Sequence, residues 1–101
     1  MSPSEIESVL SEHQDVQSVG VVGIPDPEVT TLARAFVVLK PGRQASEDEL
    51  CAFVAERLPD YKHLHGGVRF IEQLPMNRGG KMDRGQLKAM ALKENNLVFL
   101  I

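Results

Sequence analysis

The chain has 101 residues, of which 43% are hydrophobic and 25% charged, with a formal charge of −3 at pH 7. That length supports one compact domain and is short for a complete two-substrate enzyme, whose clefts usually lie between domains. The acidic balance argues against a dedicated nucleic-acid binder, no apolar run approaches the ~20 residues of a transmembrane span, and the single cysteine, Cys51, excludes an internal disulfide and fits a reducing compartment.

Ser2-Pro3-Ser4-Glu5 opens the first predicted helix: Ser2 can cap it, Pro3 suits the first turn, and Glu5 completes a capping box. Ile6, Val9 and Leu10 mark one face, and the helix is expected to end near His13. Ser18 to Ile24 is β-rich and closed by Pro25-Asp26-Pro27, which predicts a buried strand running into a turn. Ala33 to Leu39 predicts a second strand, stopped by Lys40-Pro41-Gly42. Ser46-Glu47-Asp48-Glu49 repeats the capping box, with Leu50, Phe53, Val54 and Leu58 at helical spacing before Pro59. After a polar stretch from Asp60 to Gly67, Val68 to Ile71 predicts a short third strand. Leu74-Pro75 leads into the loop Met76 to Lys81, and Asp83 can cap a last helix with Leu87 and Met90 or Ala91 facing inward.

The order helix, strand, strand, helix, strand, loop, helix implies an α+β fold, a small three-stranded sheet covered by about three helices. With no Trp and 5% aromatics, its core is expected from Val, Leu and Ile. The domain is expected over residues 1–94. Residues 95–101 form an apolar tail, Asn-Asn-Leu-Val-Phe-Leu-Ile, which must pack, pair as an edge strand, or risk aggregation.

Charge is unevenly spread: residues 1–56 carry three bases and ten acids, residues 57–101 eight bases and four acids. Either the basic half meets a phosphate or carboxylate, or two solvated faces differ in sign. Within it, Gly79 and Gly80 leave the backbone unobstructed and able to adopt positive φ, presenting Lys81 at a loop tip. A compact ammonium on a long stem suits an anion in an adjoining cleft; the alternative is a surface turn with a solvated lysine. A phosphate-cradling P-loop would need Gly at Pro75 and Ser or Thr at Met82, so that reading fails.

His63 and His65, near Asp60 and Tyr61, lack the ligand number and spacing of a metal site, and no metal is expected in this chain. His13 is welcome at a helix end and is assigned no chemistry. Cys51 sits early in a helix, where the dipole can lower a thiol pKa, but with no base assignable to it a packing or surface role is favoured.

Several segments together resemble the C-terminal domain of the adenylate-forming enzymes, the acyl-CoA synthetases, 4-coumarate–CoA ligases and beetle luciferases. They are Ser2 to Leu10, Val21-Val22-Gly23-Ile24-Pro25-Asp26, Ala35 to Leu39, Leu58-Pro59-Asp60-Tyr61-Lys62, and Leu74-Pro75-Met76-Asn77-Arg78-Gly79-Gly80-Lys81-Met82-Asp83-Arg84. The last is the most specific: it looks like the family's closing motif of Pro, a short polar stretch, Gly-Lys, an aliphatic residue, a variable position and Arg or Lys. Leu64-His65-Gly66-Gly67-Val68 leans toward the luciferase-like and fatty acyl-CoA synthetase branch.

The resemblance implies a mobile lid domain that rotates between two steps: a carboxylate attacks the α-phosphate of ATP to give acyl-adenylate and pyrophosphate, and a thiol, usually coenzyme A, then takes the acyl group. It implies that Lys81 is the adenylation lysine, that Arg78, Gly79 and Gly80 form its loop, and that ATP and Mg are bound mainly by a large N-terminal domain. The expected partners are that domain and a small carboxylic acid. The chain starts just past the family's interdomain hinge, so it is expected to be an excised domain, inactive alone.

Departures are Gly79, where the family often has Ser or Thr and which should loosen the loop, and Val29-Thr30-Thr31-Leu32, where a Gly-Glu turn is common. An intracellular setting, cytoplasmic or peroxisomal, is expected, though the tail is not the peroxisomal Ser-Lys-Leu. The helix–strand order also permits a stand-alone ferredoxin-like small-molecule-binding module, and the tail a protein-interaction adaptor.

Overall fold

The computed structural model describes residues 3–25, 31–59, 64 and 66–100. The expected cap Ser2, the turn at Asp26 to Thr30, and Asp60, Tyr61, Lys62, His63 and His65 lie outside the described residues. The elements are α1 (Pro3–Ser11), β1 (Val16–Pro25), β2 (Thr31–Leu39), α2 (Glu47–Ala55), β3 (Val68–Phe70) and α3 (Arg84–Leu100), in the expected order.

β1 and β2 pair antiparallel from Val16 opposite Leu39 to Pro25 opposite Thr31, with an irregularity between Val16 and Ser18. β3 lies parallel to β2, Ala35 opposite Val68 and Val37 opposite Phe70, giving the order β1-β2-β3. A parallel pair needs a long crossover, and α2 supplies it. The start of α2 follows from its cap: Ser46 is extended (φ −97°, ψ 162°), and its Oγ accepts from Glu49 N at 3.0 Å. Its last turn tightens where the amides of Arg57 and Leu58 both donate to Val54 O, and Pro59 prevents continuation.

Period-two alternation sorts the two long strands onto two faces. Val19, Val21, Ala33, Ala35 and Val37 pack with Ile6 and Leu10 of α1 and Leu50 and Val54 of α2. Val22, Ile24 and Phe36 pack with Leu87 and Ala91 of α3. The sheet is therefore sandwiched, α1 and α2 on one side and α3 on the other. The backbone of α3 runs unbroken from Arg84 to Leu100, past Asn95, so the apolar stretch near the terminus continues a helix and adds no strand to the sheet.

Candidate functional site

The segment joining β3 to α3 folds into a small hairpin. Met76 and Met82 bridge antiparallel, Asn77 N donates to Lys81 O at 2.7 Å, and Gly80 N donates to Asn77 O at 3.1 Å. This is a three-residue turn of Arg78, Gly79 and Gly80, closed by a left-handed residue: Gly80 has φ +80°, a conformation that costs a residue with a Cβ roughly 1–2 kcal/mol. The sequence placed Lys81 at the tip; the structure places Arg78, Gly79 and Gly80 there and Lys81 first on the returning arm, because the bond from Asn77 N to Lys81 O pairs it with Asn77 across the turn. Gly79 does not need positive φ, and its amide is held by Asn77 Oδ1 at 2.8 Å. Asn77 Oδ1 also accepts from Lys81 N at 3.1 Å. One amide side chain thus holds two donors of the turn, the local role that favours Asn in such loops.

The hairpin is seated on the α3 face of the sheet. Gly20 of β1 lies under it: a Cβ there would fall within 2.6 Å of Leu87 Cδ1 and against the Met82 sulfur. Asp83 N donates to Pro75 O at 2.9 Å, and Asp83 Oδ1 accepts from Gln86 N at 3.0 Å, so the expected cap starts α3 right after the hairpin. Arg78, Gly79, Gly80 and Lys81 are all exposed. Among the described residues none pairs with the Lys81 side chain.

Met76, on the arm leading into the turn, is 53% exposed. A cavity of about 370 Å³ lies between sheet and hairpin, lined by Gln17, Val19, Val38, Leu74, Met76 and Met82.

Two residues that sequence reasoning did not single out for chemistry are structurally engaged. The His13 ring is buried between α1 and α2: its Nδ1 accepts from Asp15 N at 3.1 Å, so its Nε2 carries the proton and donates to Glu49 Oε2 at 2.9 Å. Asp15 stands close enough to complete a three-ligand cluster, but with Nδ1 accepting and Nε2 protonated the ring has no lone pair to offer a metal. His13 ties the end of α1 to α2. Arg84, the basic residue closing the motif, binds Glu7 through two nitrogens at 2.5 and 2.7 Å. The Glu7 hydrogen bond pushes the guanidinium pKa up, so Arg84 is held as a cation.

Cys51 departs from the dipole expectation. Burial, reinforced by Glu47 and Asp48, pushes its thiol pKa up and so works against thiolate chemistry.

A profile of the family described as AMP-binding enzyme C-terminal domain matches residues 5–81, ending on the lysine. The luciferin 4-monooxygenase of Nipponoluciola cruciata is 38% identical over 91 residues, 90% of this chain and 17% of the relative. A putative acyl-coenzyme A synthetase of Emericella nidulans is 44% identical over 93 residues, again 90% of this chain and 17% of the relative. Among solved structures, an acyl-CoA synthetase of Brucella canis superposes with a TM-score of 0.85 at 31% identity, over 94% of this chain and 18% of that one. The chain thus spans under a fifth of the length of these relatives. No helix among the described residues is long and apolar enough to cross a membrane. Profile, relatives and superposition agree, and the chain belongs to the AMP-binding enzyme C-terminal domain family.

Proposed function

We propose that this chain is the mobile C-terminal lid of an ATP-dependent, carboxylate-activating ligase of luciferase or acyl-CoA synthetase type, and that Lys81 supplies a positive charge to acyl-adenylate formation. The observation that carries this is the Lys81 side chain, exposed on a hairpin closed by its own backbone and by Asn77, with no described residue competing for the ammonium. In adenylate formation a substrate carboxylate approaches the α-phosphate of ATP, and pyrophosphate leaves. Two anions must meet, and a fixed cation touching both favours the crowded arrangement over separated reactants. Lys81 fits that task. Arg84 does not, because Glu7 already occupies its guanidinium fork.

ATP and Mg are held mainly by a large N-terminal domain, coenzyme A is the usual acyl acceptor, and the acid is a small carboxylic acid. Exposed Met76 on the hairpin gives that domain an apolar side chain to close on. The setting is intracellular, cytoplasmic or peroxisomal, and the 101-residue chain is inactive without the large domain.

With the chain joined to a large domain, Lys81→Ala should lower adenylate formation roughly 10²–10³-fold and spare thioester formation from supplied acyl-adenylate. Equal loss in both steps, or loss in neither, contradicts the assignment. Titrating the chain alone with ATP and coenzyme A should leave the amide resonances near Lys81 unmoved.

A further inference from the structure

Glu7 and Arg84 belong to helices on opposite faces of the sheet, yet they meet at one point on its edge. β1 is an outer strand, so its outward amide and carbonyl at Val21 have no strand neighbour. Glu7 Oε2 accepts from Val21 N at 2.7 Å, and Arg84 Nη1 donates to Val21 O at 3.2 Å. The guanidinium closes the circuit on the Glu7 carboxylate at 2.5 and 2.7 Å. The pair satisfies at this residue what a fourth strand would. The Glu7 side chain is 15% exposed and that of Arg84 49%, so the carboxylate end of the pair is the sheltered one.

Arg84 is also the first residue of α3, three positions after Lys81. Of the two residues between, Met82 lies over Gly20 and Asp83 is held to Pro75. The returning arm of the hairpin therefore has no slack between the lysine and the clamp. We infer that Arg84, held by Glu7 against the β1 edge at Val21, is a positioning residue that fixes the direction in which Lys81 leaves the domain. The inference rests on the adenylation reading of Lys81. Its rival is direct ligand binding, because Arg84 also lines a cleft of about 440 Å³ with Ser4, Gly23, Gly85 and Lys88.

The first test uses the isotope-labelled chain alone. Arg84→Ala should shift the amide resonances of residues 77–82 and speed exchange of the Asn77 amide, while those of Leu50 and Val54 in α2 stay in place. Arg84→Lys keeps the charge but loses the planar fork and should fall between. Should Arg84→Ala unfold, Glu7→Gln gives the same reading with a milder change. Hairpin resonances that do not move in a folded variant overturn the inference.

The second test joins the chain to a large domain. Arg84→Ala should lower adenylate formation roughly 10–100-fold through misplacement of the lysine, with less than a twofold change in thioester formation from supplied acyl-adenylate. In a Lys81→Ala background Arg84→Ala should add no further loss. Additive loss there means Arg84 acts without Lys81, and equal loss in both half-reactions means a general structural role; either overturns the inference. A harmless Lys81→Ala instead overturns the lysine's own role, and is told apart because the hairpin resonances still report the clamp.

Discussion

The two faces of the sheet are built for different ends. On the α1 and α2 side, polar groups turn inward on the domain itself: Glu49 accepts from the His13 ring, and Glu47 Oε2 accepts from the Val68 backbone N at 2.7 Å. Ile6, Leu10, Leu50 and Val54 there are fully buried. On the α3 side a smaller cluster around Phe36 and Leu87 supports a hairpin whose turn residues all face solvent. The difference teaches that stability and presentation are separated across one sheet, with Gly20 and the Glu7–Arg84 pair as the connections between them.

The largest stability effects should come from the fully buried leucines, one on each face. Leu10→Ala should cost about 2–5 kcal/mol by urea denaturation and leave the hairpin resonances in place, whereas Leu87→Ala should cost a similar amount and move those of Met82 and Lys81. If both variants disturb the hairpin equally, the faces are not independent. Gly20→Ala comes next: a methyl forced against Leu87 and Met82 should cost about 1–3 kcal/mol and lift the hairpin, seen as new shifts at residues 76–82. Asn77→Ala removes an acceptor from the amides of Gly79 and Lys81 and should cost about 1 kcal/mol, with faster exchange at both and no change at α2.

The smallest effect is a rate. Folding favours the neutral Cys51 thiol, so this contribution is whole below the ordinary thiol pKa and is lost as pH climbs past the raised one. Iodoacetamide at pH 8 should alkylate the folded chain more slowly than the urea-unfolded one; equal rates would contradict the burial argument.

Local chemistry made much of this legible beforehand. The Ser46 and Asp83 caps, the Pro59 stop and the β-rich runs act within a few residues, so the starts of α2 and α3 and the three strands could be placed closely, whereas the apolar stretch from Asn95, expected as a separate tail, continues α3 to Leu100. A loop carrying the lysine was legible for the same reason, two glycines beside a Lys, but its hairpin pairing and the part of Asn77 in it came from the structure. Reading Lys81 at the tip was off because the register depends on which amide Asn77 answers. The hold of the Asn77 side chain on the Gly79 amide was not read from the residues. His13 and Arg84 were not legible as a staple and a clamp, since their partners lie 36 and 77 positions away.

Capping, β-rich runs and turn chemistry are short-range, so the element order, the three-stranded sheet and the motif that carries Lys81 could be read from the residues alone. Only the tertiary structure decided that β3 lies parallel to β2, that α3 covers the opposite face from α1 and α2, and that Glu7 reaches round the β1 edge to Arg84. Those arrangements depend on apolar burial and on unpaired edge groups finding distant partners, which no local pattern of residues encodes.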